Sequence, residues 1–477
     1  MRPARFCATE GVKVLGARQA NFKGELLGES APARPARVAP GPRGRRLLGS
    51  LLEVRRDRLR FVTDAARTYG DLVCFRMGPK RLYLINGPDY ARHVLCDRAA
   101  NYEKGLGLAE AEPLLGKGLL TSEGDLWAAQ RRLLQAAFHA GRIDAYCGSM
   151  VSAAAARVET WERPERAASL DVAREMVHLT IDILGRTLFG VDLKERAAEV
   201  SEDLAVLTRW AMSRMASLLP LPLGAPTPRN FRVRKALRRL ESLVEGMMRG
   251  TGTGGGELLA LLAAQREANG ARPADDRQMR DEVMTLLLAG HETTAATLAW
   301  TWYELARNPE AARRVGAEVD EVLAGRPATA EDLPRLAYTR AVVDEVLRLY
   351  PPVWLLPRRA REDDVIDGYA IPARSDVLVC LYTLQRHPAY WDDADAFDPS
   401  RFEPGRSAAR HPGSYIPFGA GPRTCLGGRF GLAEVILVVA TVAQRYNLEL
   451  APGASVEAQA SLTLHPGGLQ MRARRRA

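Results

Sequence analysis

One run, from about Met279 to Asn308, restricts the fold more than any other part of the chain. It reads as a single helix of roughly 30 residues, about 45 Å long at 1.5 Å per residue, with Pro309 marking its end. Its centre, LLLAGHETTAATLAW, is apolar on most sides, which predicts a buried helix rather than an amphipathic surface one. A buried helix of that length crosses a whole domain, so other helices must pack around it. Length alone, 477 residues, would allow several domains. No internal repeat and no linker between two folded halves is found, so one mainly α domain with small β-sheets is expected over residues 43–477.

The flanking patterns agree. An amphipathic helix is expected over Leu47 to Tyr69, followed by a hairpin in DLVCFRMGPKRLYLING, split at Gly78 and Pro79. In SEGDLWAAQRRLLQAAF, Ser122 is a candidate N-cap with Glu123 and Asp125 in the first turn. Residues 169–190, 200–218 and 229–249 read as three more helices, the last two joined by the apolar connector LLPLPLGAPTPRN. RGTGTGGG is a flexible joint, and ELLALLAAQREANG a further helix. After the long helix come a helix near 330–350, short strands over 358–382, a helix in GLAEVILVVATVAQRYN and a terminal hairpin in SLTLHPGGLQMRARRR.

Residues 1–42 lack periodicity and are rich in Pro and Ala, so a disordered basic tail is expected there. The net charge is +10, but residues 1–50 hold ten Lys/Arg against three Glu, so most of the excess belongs to this end. The body is only slightly basic, which gives no support to nucleic-acid binding. No apolar run approaches the ~20 residues that span a bilayer, so no membrane span and a cytoplasmic location are expected.

The six cysteines are scattered, without C-x-x-C or zinc-type spacing, so most are expected to be reduced fillers. Cys425 differs. It stands in FGAGPRTCLG, just before a helix whose N-terminal partial charge favours an anion, among glycines that let a flat, bulky partner approach. One cysteine cannot complete a zinc or iron–sulfur site, which needs about four protein ligands, whereas haem brings four of its own. On spacing alone, an inert loop cysteine remains an open reading.

FGAGPRTCLG resembles the haem-binding signature F-x-x-G-x-R-x-C-x-G of the cytochrome P-450 monooxygenases, with Phe418, Gly421, Arg423, Cys425 and Gly427 in place. Other motifs of that family follow its order over about residues 40–474. The resemblance implies an α+β fold, a triangular helical prism with haem b (iron protoporphyrin IX) between one long central helix and the cysteine-loop helix. It implies that Cys425 is the metal ligand. AGHETT, from Ala289 to Thr294, is similar to the oxygen-activation motif, which places Ala289 against the haem and assigns proton delivery to Glu292 and Thr293. Gly290 and the threonine hydroxyls are expected to loosen the helix into a local bulge there. His291 is read as structural.

In EVLR, Glu345 and Arg348 lie at i and i+3, and the resemblance buries them beneath the haem with Arg401 as third member, holding the cysteine loop. Haem propionates favour N–H donors, and Trp127, Arg131, Arg358 and Arg423 match family positions; Arg132 and Arg359 are neighbouring alternatives expected to be solvated. The basic residues around Trp127 and the cysteine loop should form a surface for an acidic ferredoxin.

The resemblance places the substrate pocket at about 105–120, 210–223, 284–293, 353–356 and 461–463, whose residues are largely Leu, Met, Ala, Val and Trp. The implied substrate is an apolar small molecule (terpenoid, fatty acid or polyketide) of secondary metabolism, hydroxylated or epoxidised with O2 and two electrons from ferredoxin and ferredoxin reductase. A monomer is expected. The alternatives are a peroxide-using or rearranging relative, which would not need Glu292 with Thr293, and a non-catalytic haem-binding sensor or scaffold.

Overall fold

The computed structural model describes Cys7 and residues 37–215, 221–250, 256–270 and 272–476. Most of the expected tail, the core of the glycine joint and the start of the proline-rich connector lie outside the described residues. Residues 37–42, expected in the tail, are instead docked on the body: Arg37 exchanges backbone bonds with Gly368 (2.7 Å) and Ala370 (2.9 Å), and the Cys74 N–H donates to Pro40 O at 2.7 Å.

The long helix runs from Pro273 to Arg307, 35 residues, and so about 52 Å. It begins earlier than its apolar pattern because polar chemistry starts it: Pro273 takes the first position and Asp275 Oδ2 accepts from the Arg272 N–H at 3.1 Å. Asn308 ends it, and a second helix, Pro309–Leu323, starts at the very proline that marked the stop. Val283, Leu287 and Leu298 are fully buried, as expected of a helix packed on most sides. It packs most extensively against the helix Val172–Leu184. A Cβ at Gly290 would lie 3.0 Å from both methyls of Leu184, so glycine there sets how near these two helices come.

The expected bulge at this glycine is absent, and the helix is α throughout. Thr293 Oγ1 donates to Ala289 O at 3.0 Å and Thr294 Oγ1 to Gly290 O at 3.1 Å. Each hydroxyl shares a carbonyl one turn back without opening the ladder.

Five strands form the main sheet: β1 (Leu72–Met77), β2 (Lys80–Ile85), β3 (Tyr102–Lys104), β4 (Leu355–Ala360) and β5 (Asp376–Cys380), in the order β1-β2-β5-β4-β3. β2 and β5 are parallel and the other pairs antiparallel. Its β3 edge sets Lys104 directly opposite Arg358. Like charges facing across a ladder are unfavourable, which marks this edge for something other than stability.

Four local expectations change. The helix over 47–69 breaks at Asp57, whose side chain accepts from the Arg60 N–H at 3.0 Å and caps the second segment. Ser122 does not cap the Gly124–Gln135 helix; its hydroxyl is taken by the Gln130 side chain. The terminal hairpin is two strands in two sheets: Leu464–Gly467 pairs with Glu457–Ala460, whereas Gln470–Arg475 pairs with Tyr446–Leu450. Cys7 and Cys96, expected reduced, form a disulfide across 89 residues, with Cα atoms 5.7 Å apart. Such pairing is set by proximity in space, which scattered positions do not reveal.

Candidate functional site

Cys425 ends an irregular loop that its own backbone closes, its N–H donating to Phe418 O at 2.8 Å. The helix Gly428–Ala443 starts immediately after it. The Phe418 ring lies over Gly428, 3.2 Å from where a Cβ would be, and fixes the loop on the helix start. The sulfur is exposed, yet burial raises the thiol pKa against the Gly427 N–H and the charge of Arg131. The side chain is thus reachable from outside, yet enough protein surrounds it to disfavour its ionised form.

The long helix packs against the cysteine helix. It meets the cysteine helix where a Cβ at Gly431 would lie 3.5 Å from Thr294 Oγ1. Earlier in the long helix, Ala289 is exposed although Leu287 is fully buried. Thr293 and Glu292 are half-buried on the same stretch. Glu292 Oε1 accepts from Thr463 Oγ1 at 2.7 Å. His291 points away into the core, buried, with Nδ1 on Leu287 O at 2.7 Å and its pKa lowered by burial, in keeping with a structural residue.

Beside the thiol lies an excess of positive charge. Arg423 stacks 4.6 Å above the Trp127 ring and bonds Glu123, while its second terminal nitrogen, Nη1, is buried without a partner. Arg131 lies 5.8 Å over the same indole, its pKa lowered by burial and by Arg423. Arg358 is buried, and burial followed by the Arg423 charge pushes its pKa down to about 10. Lys104, which the sequence did not single out, gives its ammonium to Leu119 O at 2.7 Å and to Ser122 O, with a pKa pushed down to about 7 by burial and Arg423.

Among the described residues, Glu123 is the one carboxylate in ion-pair contact with any of these four cations; it pairs with Arg423, and Arg361 shares it at 3.7 Å. Burial would raise the Glu123 pKa, but the bonds from Arg423 and from the Lys104 N–H outweigh it and the net shift is downward. A cluster of buried and half-buried cations with one anion is unstable by itself and calls for further negative charge. No group of three or more His, Cys, Asp or Glu converges among the described residues, so Cys425 is a lone donor. A dianionic ligand carrying its own metal and in-plane donors fits both facts. The alternatives to Arg131 and Arg358 do not compete: Arg132 is exposed, and Arg359 is tied to Asp376 at 2.9 Å.

Below the loop, Glu345 and Arg348 are fully buried and joined by two bonds of 2.7 Å. Arg401 approaches Glu345 Oε1 at 3.5 Å. Arg348 also donates to the carbonyls of Gln385 (3.2 Å), Ala394 (2.6 Å) and Ala396 (3.0 Å). Gln385 in turn accepts from the Ile416 N–H at 3.1 Å, two residues before Phe418, so the network reaches the cysteine loop.

On the substrate side, the region 116–122 is latched to the long helix. Asp281 accepts from the Lys117 N–H at 2.8 Å and Glu282 from the Leu119 N–H at 2.9 Å. Val353 and Leu462 are exposed apolar side chains in two of the expected pocket segments. Trp210 and Met284, expected near the pocket, are core: Trp210 is buried with Nε1 on Asn230 Oδ1 at 3.0 Å, and Met284 is fully buried.

Burial pushes the Glu282 carboxyl up to about 7, from an ordinary 4.5, against the bonds it accepts. The folded chain therefore holds this proton where the unfolded chain has lost it. Stability must fall as pH rises from about 4.5 to about 7, by on the order of 3 kcal/mol from this group, and then level off. Lys104, with its pKa lowered, acts in the opposite sense only above about pH 7. Glu282→Gln cannot ionise, and its melting temperature is expected to fall less than the parent's between pH 5 and pH 7 in thermal scans.

The chain matches the family model "Cytochrome P450" over residues 39–472. It is 40% identical over 447 residues to cyclooctatin synthase of Streptomyces melanosporofaciens, covering 91% of this chain and 94% of the relative. Cyclooctat-9-en-7-ol 5-monooxygenase of the same organism is 36% identical, over 89% of this chain and 92% of its own length. Pentalenene oxygenase of Streptomyces avermitilis is 31% identical, over 89% and 95%. No helix among the described residues is long and apolar enough to cross a membrane. A family match over nearly the whole body, with relatives aligned along most of their length, establishes that the chain belongs to the cytochrome P450 family of haem monooxygenases.

Proposed function

We propose that residues 43–477 form one haem domain, active as a cytoplasmic monomer, that inserts oxygen from O2 into a terpenoid. The observation that carries this reading is the lone desolvated Cys425 beside the under-compensated cluster of Lys104, Arg131, Arg358 and Arg423. Cys425 would hold the iron of haem b, and Ala289, Phe418 and Gly427 would border the macrocycle. The arginines and Trp127 would take the propionates, satisfying the orphaned Arg423 nitrogen. Haem, when bound, supplies the iron at which dioxygen is activated.

The chain's residues supply the rest. Thr293, with its hydroxyl on Ala289 O, and Glu292 directly precede Thr294, where the long helix meets the cysteine helix, and pass protons inward while the buried helix excludes bulk water. Glu345, Arg348 and Arg401 hold the loop. Exposed Arg132 and Arg429 leave positive charge near the loop's outer side, suited to an acidic ferredoxin delivering two electrons. The terpenoid class is favoured by the relatives, named for cyclooctat-9-en-7-ol and pentalenene.

The test is turnover with ferredoxin, its reductase and those two compounds, read as oxygenated product by mass spectrometry. Product in the parent and loss of haem on Cys425→Ser are expected. A Cys425→Ser protein with the parent's reduced carbon-monoxide spectrum overturns the ligand. A haem-loaded parent that makes no product and transfers no electrons overturns the enzyme reading in favour of a sensor.

A further inference from the structure

The acid of the long helix does not stand alone. Glu292 Oε1 receives the Thr463 hydroxyl at 2.7 Å, and no salt bridge to this carboxylate is formed among the described residues. Thr463 is buried, 3% exposed, and has a single O–H to give. A carboxylate held by one charge-assisted bond takes its position from that donor.

The donor is unusually well fixed. Thr463 sits at the tip between the paired strands Glu457–Ala460 and Leu464–Gly467. Its carbonyl accepts from both the N–H (3.0 Å) and the hydroxyl (3.2 Å) of Ser461, which closes the tip on itself. Two buried tryptophans clamp that tip from either side, Trp300 Nε1 donating to Leu464 O and Trp354 Nε1 to Ser461 O, each at 3.1 Å. The Leu464 N–H adds a bond to Pro352 O at 2.9 Å. Trp300 belongs to the long helix, two turns beyond Glu292, so helix and tip are joined at two levels.

Between the clamped residues projects Leu462, 40% exposed, while Thr463 and Leu464 on its far side are buried. The tip thus presents one apolar side chain outward and one hydroxyl to the acid. Val353, also exposed, follows Pro352, to which the tip is bonded. An apolar molecule lying against Leu462 and Val353 would press on the element that holds Glu292.

We propose that Thr463 is a positioning residue for Glu292, fixing the carboxylate through its hydroxyl and tying its placement to the Leu462 tip. In its catalytic consequence the inference rests on the monooxygenase reading above. Thr463→Val keeps shape and burial but removes the donor, while Thr463→Ser keeps the donor.

The experiment uses the haem-loaded holoprotein with cyclooctat-9-en-7-ol as probe. For Thr463→Val, the fraction of reducing equivalents recovered in product is expected to fall about tenfold, the rate equivalent of one charge-assisted hydrogen bond, with hydrogen peroxide rising in step. KM should stay near the parent's while kcat falls, and Thr463→Ser should recover most of the loss. A purely structural role would lower both variants' stability without that split. Independently of turnover, infrared spectra of protein carrying 13C-labelled glutamate, with the Glu292→Gln spectrum subtracted, isolate the Glu292 band. It should shift in Thr463→Val and return in Thr463→Ser. An unshifted band, equal coupling in Thr463→Val and parent, or a serine variant as impaired as the valine one overturns the proposal. A parent without product but with the band shift leaves the positioning standing and removes the monooxygenase reading instead.

Discussion

Arg348→Met is expected to remove most of the folded protein. Glu345 and Arg348 have no exposed side-chain surface, and the change leaves the Glu345 carboxylate in the core with only the longer contact to Arg401, at 3.5 Å, to offset its charge. Removing one partner of such a pair costs about 3–5 kcal/mol, a large part of the ~5–15 kcal/mol by which domains are stable. For an ordinary buried pair, replacing both members by apolar groups restores much of the loss. Recovery should be incomplete here, because Arg348 also serves the carbonyls of Gln385, Ala394 and Ala396, and Glu345 accepts from the Asp398 N–H at 2.9 Å. Those four backbone groups would lose partners, at about 1–3 kcal/mol each where water cannot reach them. Denaturant unfolding of Arg348→Met and of the double variant with Glu345→Leu measures this. A double variant with the parent's midpoint would show that the pair only neutralises itself, and that the loop from Gln385 to Phe402 is held by other contacts.

What was legible in the sequence is what is encoded close together along the chain. The long helix is readable because the residues at its centre are apolar on most sides, and the segment around Cys425 because Phe418, Gly421, Arg423 and Gly427 lie within ten positions. The Glu345–Arg348 pair spans one helical turn. Arg401 was placed by resemblance, since nothing near it in sequence says that Glu345 is 3.5 Å away.

The features that are not legible have the opposite property. Lys104 looked like any lysine until β3 set it opposite Arg358 and burial lowered its pKa. Glu123 read as an ordinary first-turn acid, yet it holds Arg423, 300 positions distant. Ser122 had the right residue type for a cap, but a buried Gln130 competed for its hydroxyl. Gly290 looked like a helix weakener, and the packing of Leu184 gave it another use. In each case a contact remote in sequence overrode a local preference.

Gly421→Ala is expected to disable the cysteine loop whether or not haem is bound. Gly421 has φ +72°, where an alanine costs about 1–2 kcal/mol. The larger effect is steric: a Cβ would fall 1.8 Å from Leu95 O, in the turn His93–Asp97 that backs the loop, with Cys96 Cα only 3.5 Å off. Backbone rather than a flexible side chain stands in the way, so either the loop or that turn must shift by more than an ångström. Gly419→Ala separates the two terms. Its φ, +70°, is nearly the same, but its Cβ would meet only Leu356 Cδ1, at an ordinary 3.5 Å. Gly419→Ala should therefore lower the unfolding free energy by about 1–2 kcal/mol and keep its haem. Gly421→Ala should lose several kcal/mol more, of the order seen for severe overpacking, and most of its haem with it. Haem content by absorbance and the unfolding midpoint of the two variants decide the matter. Equal behaviour of the pair would mean that the close seat of the loop on Leu95 is not what holds Cys425 in place.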